Sequence, residues 1–309
     1  MRFGCIDIGT NSVRLLIADN GKNGLIRIYK GINTTRLGTG VDHTGTLNID
    51  AIRRTVDAVV DFKKIAMSYG CDKIIAIATS AVRDAANRDV LFQEMWDKAG
   101  IEVEVISGER EAELAYKGVQ AGVKVEKAGV SLLIVDIGGG STEFTWGKSG
   151  QIKYRHSVNI GAVRLTERYG VVSAAKREDV KDLFQDIESN LCPLSSSLKE
   201  LIDVKGVMAV GVGGTVTSLA AVDQKLEVYD PQKIHGYTLT YDKVCSILDL
   251  LLKMKEEERR HIKGLYAKRA DIIVAGTAIL FKVMELLGLS QLIVSEWDNL
   301  EGLIVENMS

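Results

Sequence analysis

Short runs of apolar, β-branched residues alternate along the chain with stretches whose apolar residues recur at helical spacing. Runs at residues 2–8, 13–19, 25–30, 73–79, 102–106, 131–137, 143–147, 151–158, 207–212 and 291–295 predict strands. After Asn48, the residues Ile52, Val56, Val59 and Val60 fall on one helical face, opposite Arg53, Arg54, Asp57 and Lys64. Strands interleaved with such helices predict an α/β fold with helices packed on mixed sheets. The longest apolar stretch, residues 272–281, is too short to span a bilayer.

One pattern occurs twice. CIDIGTNSVRLLIAD begins at Cys5 and VDIGGGSTEFTWG at Val135, so Asp7, Gly9 and Ser12 match Asp136, Gly138 and Ser141 at an offset of 136 − 7 = 129 residues. A repeat spaced by the length of a domain predicts duplicated domains. We place the boundary near Gly122, with domains at 1–121 and 122–297 and a C-terminal helix at 298–309 joining the first.

In each copy an apolar strand ends at an acid, passes through a glycine-containing turn and continues into a second strand. A single copy reads as an ordinary hairpin turn; two copies at matching positions reverse that preference in favour of a phosphate-binding role. Gly138, Gly139 and Gly140 let their amides approach phosphate oxygens, and the Ser141 and Thr142 hydroxyls add donors. Asp136 and Glu143 flank this turn as cation ligands, with Asp7 a further candidate, and magnesium suits such a carboxylate pair. A third segment, AVGVGGTVTSLAA from Ala209, predicts a strand, a loop and a helix starting near Thr215, so Gly213, Gly214 and Thr215 are candidate phosphate contacts. Thr215 reads equally well as a helix cap.

Composition narrows the function. The chain has 309 residues, with 39 Lys+Arg against 41 Asp+Glu and a net charge of −2. Bulk charge therefore supplies no nucleic-acid or anionic-membrane binding, and neither partner is expected. Cys5, Cys71, Cys192 and Cys245 are far apart, with no CxxC, which argues against a zinc site and a disulfide framework. The N-terminus places Asp7 where a signal peptide needs unbroken apolar sequence, so a cytoplasmic protein is expected. No GxGxxG, Walker, HExxH or GxSxG spacing occurs. The stretch VDHTGTL at 41–47 reads as a surface turn.

Together the segments IDIGTNSVRLLIA, RLGTGVDHTGTL, IATSAVRDAAN, EVISGEREAELAYKGV, LLIVDIGGGSTEFTWG, NIGAVRLTERYG, GVGGTVTSLAAV, YDPQKIHGYTLT and RADIIVAGTAIL resemble, in order and over nearly the whole chain, the exopolyphosphatase and guanosine pentaphosphate phosphohydrolase (Ppx/GppA) family. The resemblance implies two ribonuclease-H-like domains of the acetate and sugar kinase, Hsp70 and actin superfamily around an interdomain cleft. It implies hydrolysis of a terminal phosphoanhydride of polyphosphate, or of guanosine pentaphosphate, with magnesium or another divalent cation, and leaves room for a homodimer. It carries the catalytic base onto Glu111 of ISGEREA, the metal-linked acids onto Asp136 and Glu143, and phosphate contacts onto Gly138–Ser141. By the same resemblance Arg83, Asn11 and Ser12 face the substrate. Read from the residues alone, Glu109, Glu111 and Glu113 are better explained as helix-start acids answering the dipole.

Arg110 stands where members commonly carry Glu, which makes the surroundings of Glu111 less acidic and favours a polyanion. In SEWDNLEG, Trp297 and Leu300 replace a Gly and an Arg. The helical C-terminal domain of long members has no counterpart in these residues. The basic run at 253–271, with Arg259, Arg260, Lys263, Lys268 and Arg269, reads as a solvated helical surface rather than a polyphosphate channel. Rival readings are a small-molecule kinase, with adenosine seated at 211–218, and a non-catalytic alarmone sensor.

Overall fold

A computed structural model describes residues 1–21, 24–123, 130–171, 173–203 and 206–308. They form two compact units: Met1–Ala121 with Asp298–Ser309, and Gly122–Trp297.

The first unit holds β1 (Arg2–Ile8), β2 (Val13–Gly21), β3 (Gly24–Asn33), α1 (Val41–Thr44), α2 (Ile49–Ser68), β4 (Lys73–Ala78), α3 (Ser80–Asp84), α4 (Arg88–Ala99), β5 (Val103–Val105) and α5 (Gly108–Gly122). Its sheet runs β3-β2-β1-β4-β5, antiparallel through β1, β2 and β3 and parallel through β1, β4 and β5. This is the ribonuclease-H-like order. Alternate residues of β1 serve opposite faces. Ile6 and Ile8 join the cluster containing Ile52, Val56 and Val59 of α2, whereas Phe3 and Cys5 pack with Leu114 of α5 and with Leu300, Leu303 and Ile304. Burial on both faces is why β1 reads as one continuous apolar run.

The second unit holds β6 (Ser131–Ile137), β7 (Thr142–Lys148), β8 (Gln151–Val158), α6 (Ala162–Tyr169), α7 (Lys181–Leu201), β9 (Val207–Val212), α8 (Gly213–Asp223), α9 (Pro231–Ile234), β10 (Thr238–Thr240), α10 (Tyr241–Leu252), α11 (Glu256–Arg259), α12 (Ile273–Leu287) and β11 (Gln291–Val294). The strand order is β10-β11-β9-β6-β7-β8. Read from the other edge, β8-β7-β6-β9-β11 repeats the order of the first sheet, and β10, which the apolar pattern did not reveal, pairs antiparallel to β11 at the edge. The apolar stretch at 272–281 lies in α12, buried among α6, α7, α8 and α10. Among the described residues no helix is long and apolar enough to cross a membrane.

The chain closes with α13 (Asn299–Asn307) in the first unit. Asp298 caps it by accepting from Leu300 N at 3.0 Å, and Glu301 answers by accepting from Asp298 N at 2.9 Å. Gly118 of α5 and Gly302 of α13 let the two helices meet backbone to backbone, because a Cβ on Gly118 would strike Asp298 O and one on Gly302 would strike Leu114 O. Ser309, which the expected C-terminal helix includes, lies outside the described residues.

The surface turn read at 41–47 contains one helical turn, residues 41–44, between left-handed Gly40 and Gly45. One local reading changes. Arg259, from the run read as a solvated surface, is fully buried; its guanidinium donates to the carbonyls of Leu251 (2.9 Å), Val171 (3.1 Å) and Ser173 (3.2 Å). Three carbonyls satisfy the buried donors, which periodicity of charge cannot show.

Candidate active site

The duplicated turns are built alike. Gly9 N donates to Ser12 O and Gly138 N to Ser141 O, both at 3.0 Å, and the registers Asp7↔Arg14 and Asp136↔Glu143 coincide.

In the second unit, the chain after β8 returns and clasps the turn. Gly138 O accepts from Ala162 N (3.0 Å), Gly139 O from Val163 N (2.8 Å) and Arg164 N (3.1 Å), and Gly140 O from Arg164 Nε (2.9 Å). A trans peptide points its N–H opposite its C=O. Fixing these three carbonyls toward α6 therefore turns the N–H groups of Gly139, Gly140 and Ser141 to the other side. None of the three donates to a backbone carbonyl among the described residues. Successive amides facing one way form an anion-binding concavity. Gly161 permits the clasp, since a Cβ there would stand 2.5 Å from Gly140 C and closer still to the Gly139 carbonyl.

Beside the turn, Asp136 and Glu143 are both buried and directly opposed across β6 and β7. Two carboxylates in this register repel one another. Ser157 steadies the second by donating to Glu143 Oε1 at 2.7 Å. Gly213, with φ 88°, brings the start of α8 against the acid, where a Cβ would lie 2.7 Å from Asp136 Oδ1. Among the described residues no group of three or more His, Cys, Asp or Glu gathers as a metal cluster. An oxygen-only pair next to outward amides fits a hard cation that takes one or two carboxylates and completes its shell with water and phosphate oxygens.

Two predicted phosphate contacts have other employment. The Thr142 hydroxyl donates to Ile160 O at 2.7 Å and is buried, so its proton ties the turn to the clasp. Helix α8 begins at Gly213 with Val212 as its cap, which makes Thr215 neither cap nor exposed ligand; it is buried where a Cβ on Gly276 would meet its Oγ1 at 2.5 Å. Gly214 lies directly under the Arg269 guanidinium.

In the first unit, Thr10 O accepts from Gly38 N (2.8 Å) and Asn11 O from Arg36 N (2.9 Å), which turns the Asn11 and Ser12 amides to the opposite side. Asn11 Nδ2 is buried with no partner among the described residues. Here the acid is answered by a cation: Asp7 Oδ2 accepts from Arg14 Nη2 at 2.5 Å, and Arg14 also donates to Asp298 (2.5 Å) and Asn299 (2.7 Å). Burial pushes the Asp7 carboxyl up from its ordinary range, with Arg14 opposing. Asp7 Oδ1 is buried and unbonded among the described residues, so only half of this carboxylate remains for a metal.

Glu111 sits in the first turn of α5, its carboxylate 3.7 Å from Arg83 Nη1, and Arg83 is itself fixed by donating to Ile106 O at 2.9 Å. Arg110 turns to Glu306 of α13 and to Glu113 (3.3 Å), which occupies the charge read above as favouring a polyanion. Leu300 is core, beside Phe3 and Leu16, and Trp297 covers Gly122. His235 links Glu296 N to Gly122 O, a structural bridge. Sequence reasoning missed Arg164 and Ser157, which lie outside the glycine-rich segments, and the clasp itself, because bonds made by backbone N–H groups leave no residue signature.

A family model described as the Ppx/GppA phosphatase family matches residues 16–309. The chain is 38% identical to a bifunctional 3-dehydroquinate synthase/phosphatase of Fusobacterium nucleatum, over 98% of this chain and 46% of that protein, so it spans about half of that relative. It is 34% identical to exopolyphosphatase 2 of Mycobacterium tuberculosis, over 98% and 97% of the two chains. The crystal structure of an exopolyphosphatase from Cytophaga hutchinsonii superposes with a TM-score of 0.91 at 29% identity, covering 100% of this chain and 98% of the other.

Proposed function

The chain belongs to the Ppx/GppA phosphatase family, and from that premise we propose that it is an exopolyphosphatase, releasing orthophosphate from the end of inorganic polyphosphate. The observation that carries this reading is the turn at 138–141, with three amides facing one way beside an opposed carboxylate pair. A phosphoryl group needs such donors on its equatorial oxygens, because most of the catalysis of its transfer is positioning and charge stabilisation.

In the reaction, a water oxygen bonds to the terminal phosphorus and the bridging P–O bond breaks, so that the terminal group is released as orthophosphate and the shortened polyphosphate leaves with the bridging oxygen as its new end. Glu111 accepts the water's proton, with Arg83 orienting its carboxylate. In the second unit the amides of Gly139, Gly140 and Ser141 hold phosphoryl oxygens, and in the first unit the Asn11 side chain is a donor for phosphate. Asp136 and Glu143 would hold a divalent cation, which supplies charge neutralisation to the phosphates when bound.

The test is orthophosphate release, with magnesium, from long and short polyphosphate, guanosine pentaphosphate and ATP, by the native protein and Glu111→Ala. The expected result is polyphosphate turnover that falls by ~10²–10⁴-fold in the variant, the range for a general base. Preference for guanosine pentaphosphate would replace the substrate while keeping the site. ATP consumed only with an acceptor would point to a kinase. Turnover undiminished in the variant would remove Glu111 from the mechanism.

A further inference from the structure

We propose that Arg164 is a positioning residue of the 138–141 turn, the latch that fixes the third of its anion-binding amides. This deepens the phosphate-binding reading above and rests on it.

The three carbonyls that set the turn are held by two kinds of donor. Gly138 O and Gly139 O accept from backbone N–H groups at the start of α6, which any residues at 162–164 other than proline would supply. Gly140 O accepts from the Arg164 side chain at 2.9 Å. The orientation of the Gly140–Ser141 peptide, and so of the Ser141 N–H, depends on what residue 164 is.

That peptide needs a latch, because Gly140 lacks a Cβ and its ψ rotates with little steric resistance, carrying the following peptide with it. A rotation would turn Gly140 O toward the phosphate in place of the Ser141 N–H and replace a donor by an acceptor facing an anion. The charged guanidinium makes a stronger bond to that carbonyl than a neutral donor would. Its planar fork also holds direction better than an ammonium, which is a point charge on a flexible stem.

The duplicated turn is an internal control. Asn11 stands at the position of Gly140, and its carbonyl is held at 2.9 Å by the backbone N–H of Arg36. That copy has a side chain where the other has glycine and a main-chain bond where the other has Arg164. The more permissive backbone is the one that carries the side-chain latch.

The experiment compares native protein, Arg164→Met and Arg164→Lys in two assays: steady-state release of orthophosphate from tripolyphosphate, and the thermal shift produced by tripolyphosphate in full-length protein. Met keeps the apolar stem and removes the donor; Lys restores a charged donor. The expected result for Arg164→Met is a KM raised ~10-fold, the worth of one charge-assisted hydrogen bond. The ligand-induced shift should shrink in parallel, the unliganded melting temperature should stay near native, and Arg164→Lys should recover part of both losses. A Met variant with native KM and native shift would overturn the proposal. So would a Met variant whose unliganded melting temperature falls while its KM stays native, since that is packing alone. Native protein that neither turns over nor is stabilised by tripolyphosphate would instead remove the phosphate-binding reading, and the latch with it.

Discussion

Gly161→Ala should disable the site without unfolding the protein. An alanine Cβ at this position would stand 2.5 Å from Gly140 C, and closer to the carbonyl of Gly139, where ordinary contact begins near 3.4 Å. The obstacle is backbone on both sides, so the turn and the start of α6 must separate by about 0.9 Å, the difference between those two distances. The bonds from Ala162, Val163 and Arg164 to the turn are 2.8–3.1 Å long and would stretch past useful length. Overpacking of this kind costs about 1–3 kcal/mol of stability, which a cooperative fold of this size tolerates. A displacement of ~1 Å in a positioned reacting group costs about 10²-fold in rate. The assay is kcat/KM for orthophosphate release from polyphosphate alongside a thermal melt, with Gly206→Ala as the control. Among the described residues a Cβ on Gly206 meets nothing nearer than 3.6 Å, so the control should match native in both measurements. A Gly161→Ala protein that melts cooperatively and stays within twofold of native kcat/KM would refute the claim that the clasp sets the turn.

Replacing Arg259 by Met strands the carbonyls of Leu251, Val171 and Ser173 in the core and should lower unfolding free energy by about 3 kcal/mol in urea melts; a loss under ~1 kcal/mol would mean they find other donors. Ser149 and Gly150 form a two-residue hairpin loop with φ of 52° and 80°, so Ser149→Asn, better suited to that conformation, should stabilise by about 0.5 kcal/mol in the same melts, and a loss would contradict the turn assignment. Asp298 is pushed up by burial, but Arg14 and Lys30 outweigh this and hold its carboxyl below the ordinary 3.8. A depressed carboxyl contributes stability that is complete above the unfolded value and lost as pH falls through the folded one. The stability difference between native and Asp298→Asn should therefore be level from pH 7 to about 5 and shrink below about 4; a difference that grows on acidification would reverse the sign of this interaction.

Much of the fold was legible because its central strands are buried on both faces. β1 and β6 appear in the sequence as apolar runs ending in acids, and their repetition at a fixed offset announced the duplicated turns. The acids were legible for the same reason, since Asp7 and Asp136 interrupt apolar strands at equivalent points. The clasp was not legible: Ala162 and Val163 act through their amides, and their side chains go to the core. Thr142 and Thr215 have the residue type of phosphate ligands, yet Thr142 spends its hydroxyl proton on Ile160 O and Thr215 is packed under Gly276. Composition records that a hydroxyl exists and says nothing of where its proton goes. The run at 253–271 misled for a related reason. Arg260 and Lys263 do pair with Glu256 and Glu227 on an exposed face, but Arg259 turns inward and Arg269 covers Gly214.

The deepest difference between the two halves lies in a single register position. Across from Asp7 stands Arg14, and across from Asp136 stands Glu143. In the first unit the cross-strand cation neutralises the acid and reaches on to Asp298 and Asn299, which binds the turn to the cap of α13. In the second unit the same geometry sets two carboxylates against one another, an arrangement that weakens a sheet unless a positive charge joins them. One copy thus answers its acid with a cation across the strand and spends that cation on the cap of α13, whereas the other sets a second acid there, the pair to which the proposed function gives the cation. The two turns share a backbone and differ in the sign of the residue opposite the acid.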